Sequence, residues 1–370
     1  MPSRKPKPLI ALAALLPSTC LACSLTTSLD GLDDAPRFSD AGSEDAGSED
    51  ASVQEDGPPP DDAGDADAPW VEAGDAETDA ETDAELHDVA EDAPPCGADL
   101  QNDPNHCGEC DHGCLGGDCT AGKCQRVVVA DGQSEPAGIT VDDASVYWVN
   151  VANKSLKRMP KTGGAQERLD VAADGVTDPF DVAVDGSYLY WSERSGTEVF
   201  RKPLAGGAKE HVTWGVGACA FLAIGGGLVF VSDFRSDDPS IGHIVSSPVE
   251  GSNGMLIYQN QPLAAGLDAV GAELFWARAE PDSIMRGTFD GGPSSTMVTA
   301  TGTISGLAYD GSKLYWIEEE QRVMSAELGM ATPETFYGGA PGAGMTDLAV
   351  DDSSIWWSER GTGIIARLAK

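Results

Sequence analysis

Carboxylates recur at fixed places around an aromatic pair in the last two-thirds of this chain. The pairs end at Trp148, Trp191, Phe230, Trp276, Trp316 and Trp357. Two residues beyond each stand Asn150, Glu193, Ser232 (with Asp233 next to it), Arg278, Glu318 and Glu359. Ten residues before each stand Gly138, Asp181, Ala220, Gly266, Gly306 and Asp347. If both positions open on one face, then Asp181, Asp347, Glu193, Glu318, Glu359 and Asn150 gather around a mouth otherwise lined by Gly and Ala. Converging oxygen ligands of this kind suit Ca²⁺. Asp181 and Asp347 are then the pair expected to bridge it. The structural alternative is that these acids join neighbouring elements, with Arg194 and Arg360, each directly after its glutamate, neutralising them. Nucleophilic chemistry is poorly supplied. Residues 125–370 contain only His211 and His243, with no Gly-x-Ser-x-Gly and no metal-spaced His pair. Cys219 has no nearby His in sequence and reads as a buried, inert thiol. No catalytic residue is assigned.

The elements that must position these residues are short strands. Spacings between the final aromatics are 43, 39, 46, 40 and 41 residues. A repeat of roughly 40 residues built from short strands is the mark of a β-propeller, one four-stranded blade per repeat. Positions nine and seven before the aromatic are apolar or small, as in Val182/Val184, Phe221/Ala223 and Leu348/Val350, and mark the innermost strand. An Asp-rich or Gly-rich turn follows, then the aromatic strand, a third strand and a short outer strand. The sixth repeat runs out after its third strand, Ile364 to Leu368. Arg126 to Ala130 is expected to supply the missing outer strand and close the ring, because closure removes an open sheet edge.

Val-Tyr-Trp-Val-Asn, Leu-Tyr-Trp-Ser-Glu and Ile-Trp-Trp-Ser-Glu resemble the motifs of YWTD-type and TolB-like six-bladed propellers. The resemblance covers about two-thirds of the chain. It implies an all-β, six-bladed propeller but leaves activity open, since such rings serve as receptors, scaffolds and enzymes. It implies that the acid after the Trp ties adjacent blades together. Lactonases of the same form hold a central Ca²⁺ through Glu, Asn and Asp, and those residue types are present here.

The rest of the chain is organised by charge and cysteine. Arg4, Lys5 and Lys7, an apolar stretch from Leu9 to Leu16, and Leu21-Ala22-Cys23 read as a signal peptide over 1–22 with Cys23 as the lipidated residue. The apolar stretch is too short for a transmembrane helix. An ordinary secretory signal cut near Ala22 is the alternative. From Ser28 to Pro95 there are 24 acidic residues and one basic residue, and from Cys96 onward the balance is −18 of the total −38. Residues 23–95 are expected to be a disordered acidic linker. The excess of negative charge argues against a nucleic-acid partner. Cys96, Cys107, Cys110, Cys114, Cys119 and Cys124 crowd into residues 96–124. In an exported protein they read as three disulfides of open connectivity, with zinc at Cys107-x-x-Cys110 as the alternative. The phrase Asn-His-Cys-Gly-Glu-Cys resembles Cys-rich modules of exported proteins from myxobacteria and related bacteria.

These readings place a monomeric propeller, 125–370, in the cell envelope, on the outer membrane, held through a lipid anchor only. Two functions fit. One is a non-enzymatic scaffold that binds a protein or a glycan. The other is a Ca²⁺-dependent hydrolase, lactonase-like, or lyase working at the acidic mouth, which needs a metal with an open position.

Overall fold

The computed structural model describes residues 96–195, 198–213, 221–234, 241–262, 265–329 and 332–370. The signal segment, Cys23, the acidic linker and Cys219 lie outside these residues. Six four-stranded antiparallel blades form a closed ring. Blade 1 comprises Pro136–Val141, Ser145–Asn150, Ser155–Pro160 and Glu167–Arg168, and blade 2 Pro179–Val184, Tyr188–Glu193, Glu198–Pro203 and Glu210–Thr213. Blade 3 comprises Leu222–Gly225, Leu228–Phe234, Gly242–Pro248 and Met255–Tyr258, and blade 4 Ala265–Val270, Glu273–Arg278, Ser283–Thr288 and Ser295–Thr299. Blade 5 comprises Ile304–Tyr309, Lys313–Glu318, Arg322–Glu327 and Glu334–Gly338. Blade 6 takes Met345–Val350, Ser354–Glu359 and Ile364–Ala369 from the end of the chain and Val127–Ala130 from before blade 1. The first strand of each blade lines the centre, and that of blade 6 lies beside that of blade 1.

The aromatic strands explain why the blades assemble. Successive side chains on a strand point to opposite faces. So in every blade but the third the first and third residues of the motif pack back against the preceding blade, and the middle one packs forward. Trp148 meets Trp356 and Ile365 of blade 6. Leu189 and Trp191 meet Tyr147 and Val149, and Leu274 and Trp276 meet Phe230 and Ile244. Leu314 and Trp316 meet Phe275 and Ala277, while Ile355 and Trp357 meet Tyr315 and Ile317. Six of the most completely buried side chains are these tryptophans. Each contributes on the order of 3 kcal/mol of burial.

Blade 3 departs from the expected alignment by one residue. Leu222 pairs with Val231, as Leu307 pairs with Trp316 in blade 5. Val229 and Val231 face back toward Tyr190, and Phe230 faces forward into the seam with blade 4. Val231, not Phe230, therefore holds the tryptophan position, and Phe221, not Ala220, holds the place of Asp181. The preceding turn is a tight Gly226-Gly227 pair, both at positive φ. In blades 1, 2, 5 and 6 an aspartate makes the turn instead. Asp142, Asp185, Asp310 and Asp351 each accept two backbone N–H bonds through one oxygen. The other oxygen of Asp142, Asp185 and Asp351 accepts from Tyr147, Tyr190 and Trp356. The turn and the seam are thus fixed by one side chain.

The six clustered cysteines form three disulfides: Cys96–Cys110, Cys107–Cys119 and Cys114–Cys124. With Cys107 and Cys110 each spent on another partner, the zinc alternative fails.

The outer strand of blade 6 gives a direct test of closure. Ala130 is buried between blades 6 and 1, whereas Val128 on the same strand is exposed. Ala130→Asp should cost about 3 kcal/mol, because it puts an unpaired charge into the seam. Val128→Asp should stay within ~0.5 kcal/mol of the parent. Thermal melts of the two full-length variants measure the difference. Equal melting temperatures would mean that this strand does not close the ring in solution.

Candidate functional site

The central channel at the hub holds a cavity of about 230 Å³, lined by the innermost strands of all six blades. Its walls are mostly Val, Leu, Ile and Ala, broken by Asp181, Asp268 and Asp347. Asp181 and Asp347 are two of the acids singled out from the sequence. Asp268 is not, because it lies one pleat deeper. It pairs opposite Phe275, next to the Leu267–Trp276 pair, on the face that Asp181 uses in blade 2. The available signal was an aspartate inside the otherwise apolar run Leu267-Asp268-Ala269-Val270.

All three do the same work. An innermost strand has one edge with no further strand beyond it, so its backbone N–H groups lack ladder partners. Asp181 accepts from its neighbour Val182 N and, across the seam, from Leu222 N of blade 3 at 2.8 Å. Asp268 accepts from Ala269 N and from Tyr309 N of blade 5 at 2.7 Å. Asp347 accepts from Ile139 N of blade 1 at 2.9 Å. Each even blade is stapled by a carboxylate to the odd blade after it.

The glycines at this offset leave no gap at the mouth. A Cβ on Gly138 would collide with Asp181 Oδ1, and one on Gly306 would sit 2.7 Å from Asp347 Oδ1. Those glycines exist so that the following blade's aspartate can occupy the space.

The acids beyond the tryptophans do not line the channel. Glu193 accepts from Trp191 Nε1 at 3.2 Å and from the backbone N–H and hydroxyl of Thr177. Glu318 accepts from Thr301 N, Thr301 Oγ1 and Gly302 N at 2.7–2.8 Å. Glu359 accepts from Trp357 Nε1 and Thr362 Oγ1 and pairs with Arg126 at 2.6 Å. Asn150 donates to Gln133 and Ser155. Each ties the end of an aromatic strand to the loops around it. Arg194 pairs with Asp178 and Arg360 with Glu135, so neither arginine takes the glutamate that precedes it.

Burial governs the protonation of the staples. Desolvation raises the Asp181 carboxyl to about 7 and the Asp268 carboxyl to about 6, against the N–H bonds that favour the anion. Asp347 is pushed up by burial first and then by the charges of Asp181 and Asp268. The other titratable side chain on the channel wall is Tyr309. A divalent cation would need several oxygens converging on one point. Among the described residues, three ligand atoms come within 4.8 Å of one another only at Cys107, Cys114 and Cys124, which are spent on disulfides. The aspartates aim at three separate backbone N–H groups, so the donor set does not fit a resident Ca²⁺.

No protein-family description matches the chain, and no characterised protein matches it in sequence. Solved structures do match it in shape. Virginiamycin B lyase from Staphylococcus aureus aligns at a TM-score of 0.50 and 13% identity, covering 66% of this chain and 98% of that one. The PQQ-bound aldose sugar dehydrogenase of Streptomyces coelicolor aligns at 0.54 and 14%, covering 66% and 98%. Regucalcin from Agrobacterium tumefaciens, described as a calcium-binding protein, aligns at 0.52 and 13%, covering 66% and 93%. A lyase, a dehydrogenase and a calcium-binding protein share one architecture, so the likeness fixes the fold alone.

The staples carry a signed pH dependence. A carboxyl whose folded pKa is raised holds a proton that the unfolded chain has already released. Its contribution is full below about pH 4 and is lost as pH rises toward 7. Asp351, held down to about 2, and Asp310, held lower still, act below that window. The Asp181→Asn, Asp268→Asn, Asp347→Asn variant should keep its cross-seam bonds through the amide oxygens. Its melting temperature should fall less than the parent's between pH 4 and pH 8. Parallel melting curves across that range would refute proton uptake at the hub.

Proposed function

We propose that this protein is an exported, envelope-tethered propeller that acts as a binding scaffold for a protein or a glycan rather than as a metal-dependent enzyme. One observation supports this reading above the others. The hub carboxylates, which would be the natural catalytic or cation ligands, are spent across seams on Leu222 N, Tyr309 N and Ile139 N. A hydrolase of the lactonase kind needs an open metal position at that place, and the oxygens here diverge. Among the described channel-lining residues there is neither His nor Cys to take over the chemistry. A ring held by its own hub leaves its outer loops for recognition, where side chains can vary without loss of the core.

The tether belongs to the same reading. A charged start, a short apolar stretch and Leu21-Ala22-Cys23 precede a long acidic segment, which would hold the ring away from the lipid. Labelled palmitate should enter the full-length protein expressed in an exporting bacterium and be absent from Cys23→Ala. Label retained in that variant would place the lipid on another residue, and no label in the parent would point to an ordinary secretory signal cut near Ala22.

For the ring itself, the test is binding to a purified cell-envelope fraction in the presence and absence of EDTA. Saturable binding that is unchanged by EDTA and by Asp181→Asn, Asp347→Asn is expected. Millimolar Ca²⁺ should leave the melting temperature where it was, since a ligand bound only by the native state would raise it. A Ca²⁺-dependent rise abolished by that double variant would return the hub to the role of metal site.

A further inference from the structure

The disulfide module grips both strands whose pairing closes the ring. The closing ladder joins Val127–Ala130 to Ile364–Ala369, with Val127 opposite Arg367. On the first side, Gln125 N, two residues before the strand, donates to Asp118 O at 2.8 Å. On the second side, Arg367 Nη2 donates to Leu115 O. His112 places Nε2 2.7 Å from Lys370 O, directly after that strand, and Nδ1 against Cys107 O. Two parts of the module therefore hold two partners of one ladder.

A single bond joins those parts most directly. Cys114 adjoins Leu115, Cys124 adjoins Gln125, and the two are disulfide-bonded. Cys114 is buried, and the Cys124 side chain rests against the apolar seam between blades 5 and 6. Cys107–Cys119 lies beside this bond, the Cys107 sulfur within 4.8 Å of both of its sulfurs, and its Cys107 carbonyl meets His112. In Cys96–Cys110, Cys96 is exposed and Cys110 half-buried.

We propose that Cys114–Cys124 is a redox-operated clasp on ring closure, and that Cys96–Cys110 is an outer bond a reductant meets first. The reaction is thiol–disulfide exchange with a dithiol. One thiolate of the dithiol attacks a sulfur of the Cys114–Cys124 bond, giving a mixed disulfide and releasing one cysteine thiolate. The second thiolate of the dithiol displaces the other. Two electrons pass to the protein, both cysteines end as thiols after taking two protons, and the dithiol ends as its own disulfide. With the clasp open, the closing strand keeps its ladder but loses the module's hold on both partners. Blade 6 then opens locally more often than the rest of the ring.

Hydrogen exchange on the full-length protein, before and after graded reduction with dithiothreitol, reads this out. Amides of residues 127–130, Ile365 and Arg367 should exchange about tenfold faster once Cys114–Cys124 is reduced, with the strand Glu273–Arg278 of blade 4 lagging. Cys114→Ser, Cys124→Ser should show the same rise without reductant, and Cys96→Ser, Cys110→Ser should match the oxidised parent. If the first variant does not fold, alkylation and mass spectrometry along the reduction series decide the matter. The rise must then track modification of Cys114 and Cys124. Exchange that stays unchanged after full reduction, or that rises with Cys96 and Cys110 alone, overturns the proposal.

Discussion

Every blade of this ring is apolar on both of its faces, and that constraint orders the rest of the molecule. A sheet with two apolar faces cannot be satisfied by one partner. Each face must meet another such face, and only a closed cycle leaves none over. The alternation along the aromatic strands delivers this: Tyr147 points forward into one seam while Trp148 points back into another. Closure then requires an outer strand for blade 6, and the chain imports one from before blade 1. Without it the third strand of that blade would end in an open ladder beside Trp356 and Ile365.

The same geometry sets what happens to charge. Carboxylates within an apolar ring are costly unless hydrogen-bonded. Those at the hub and at the strand ends are supplied with donors: backbone N–H at the centre, and indole N–H, Thr hydroxyls and Arg126 at the periphery. An acidic side chain beside a channel is therefore a structural part here. Its position alone would suggest chemistry, but its hydrogen bonds run to backbone N–H groups of the neighbouring blade. The buried Lys202–Asp174 pair behind blades 1 and 2 follows the same logic, with Asp174 also accepting from Val171 N.

The architecture was legible because it depends on periodicity, and Trp, Tyr and Leu at fixed offsets carry that signal without reference to anything distant. The imported strand could be read for the same reason, since a count of strands was one short. What could not be read depended on seams. Val231 occupies the tryptophan position although Phe230 looks more like a tryptophan, because the tight Gly226-Gly227 turn fixes the pairing of Leu222 with Val231. Glu359 could not be paired with Arg126, which lies 233 residues away, when Arg360 stood next to it. Asp268 shares its bonding with Asp181 but not its offset, so an alignment by offset passed over it. The disulfide pairing depends on the fold of a module with almost no regular structure, and spacing alone leaves it open.

The staples at the hub also change what should be counted as one unit of this ring. Asp181, Asp268 and Asp347 leave blades 2, 4 and 6 and reach blades 3, 5 and 1, while Gly138 and Gly306 on odd blades make room for the acid that follows. Odd and even blades are thus donor and acceptor halves of a pair. Taken by its backbone the ring is a sixfold repeat, but by its polar chemistry it is a threefold array of dimers. Parity follows from that. Gaining or losing a single blade would set two like blades side by side and leave a carboxylate facing the wrong neighbour, whereas duplication or rearrangement in steps of two would keep the register of acids and glycines intact.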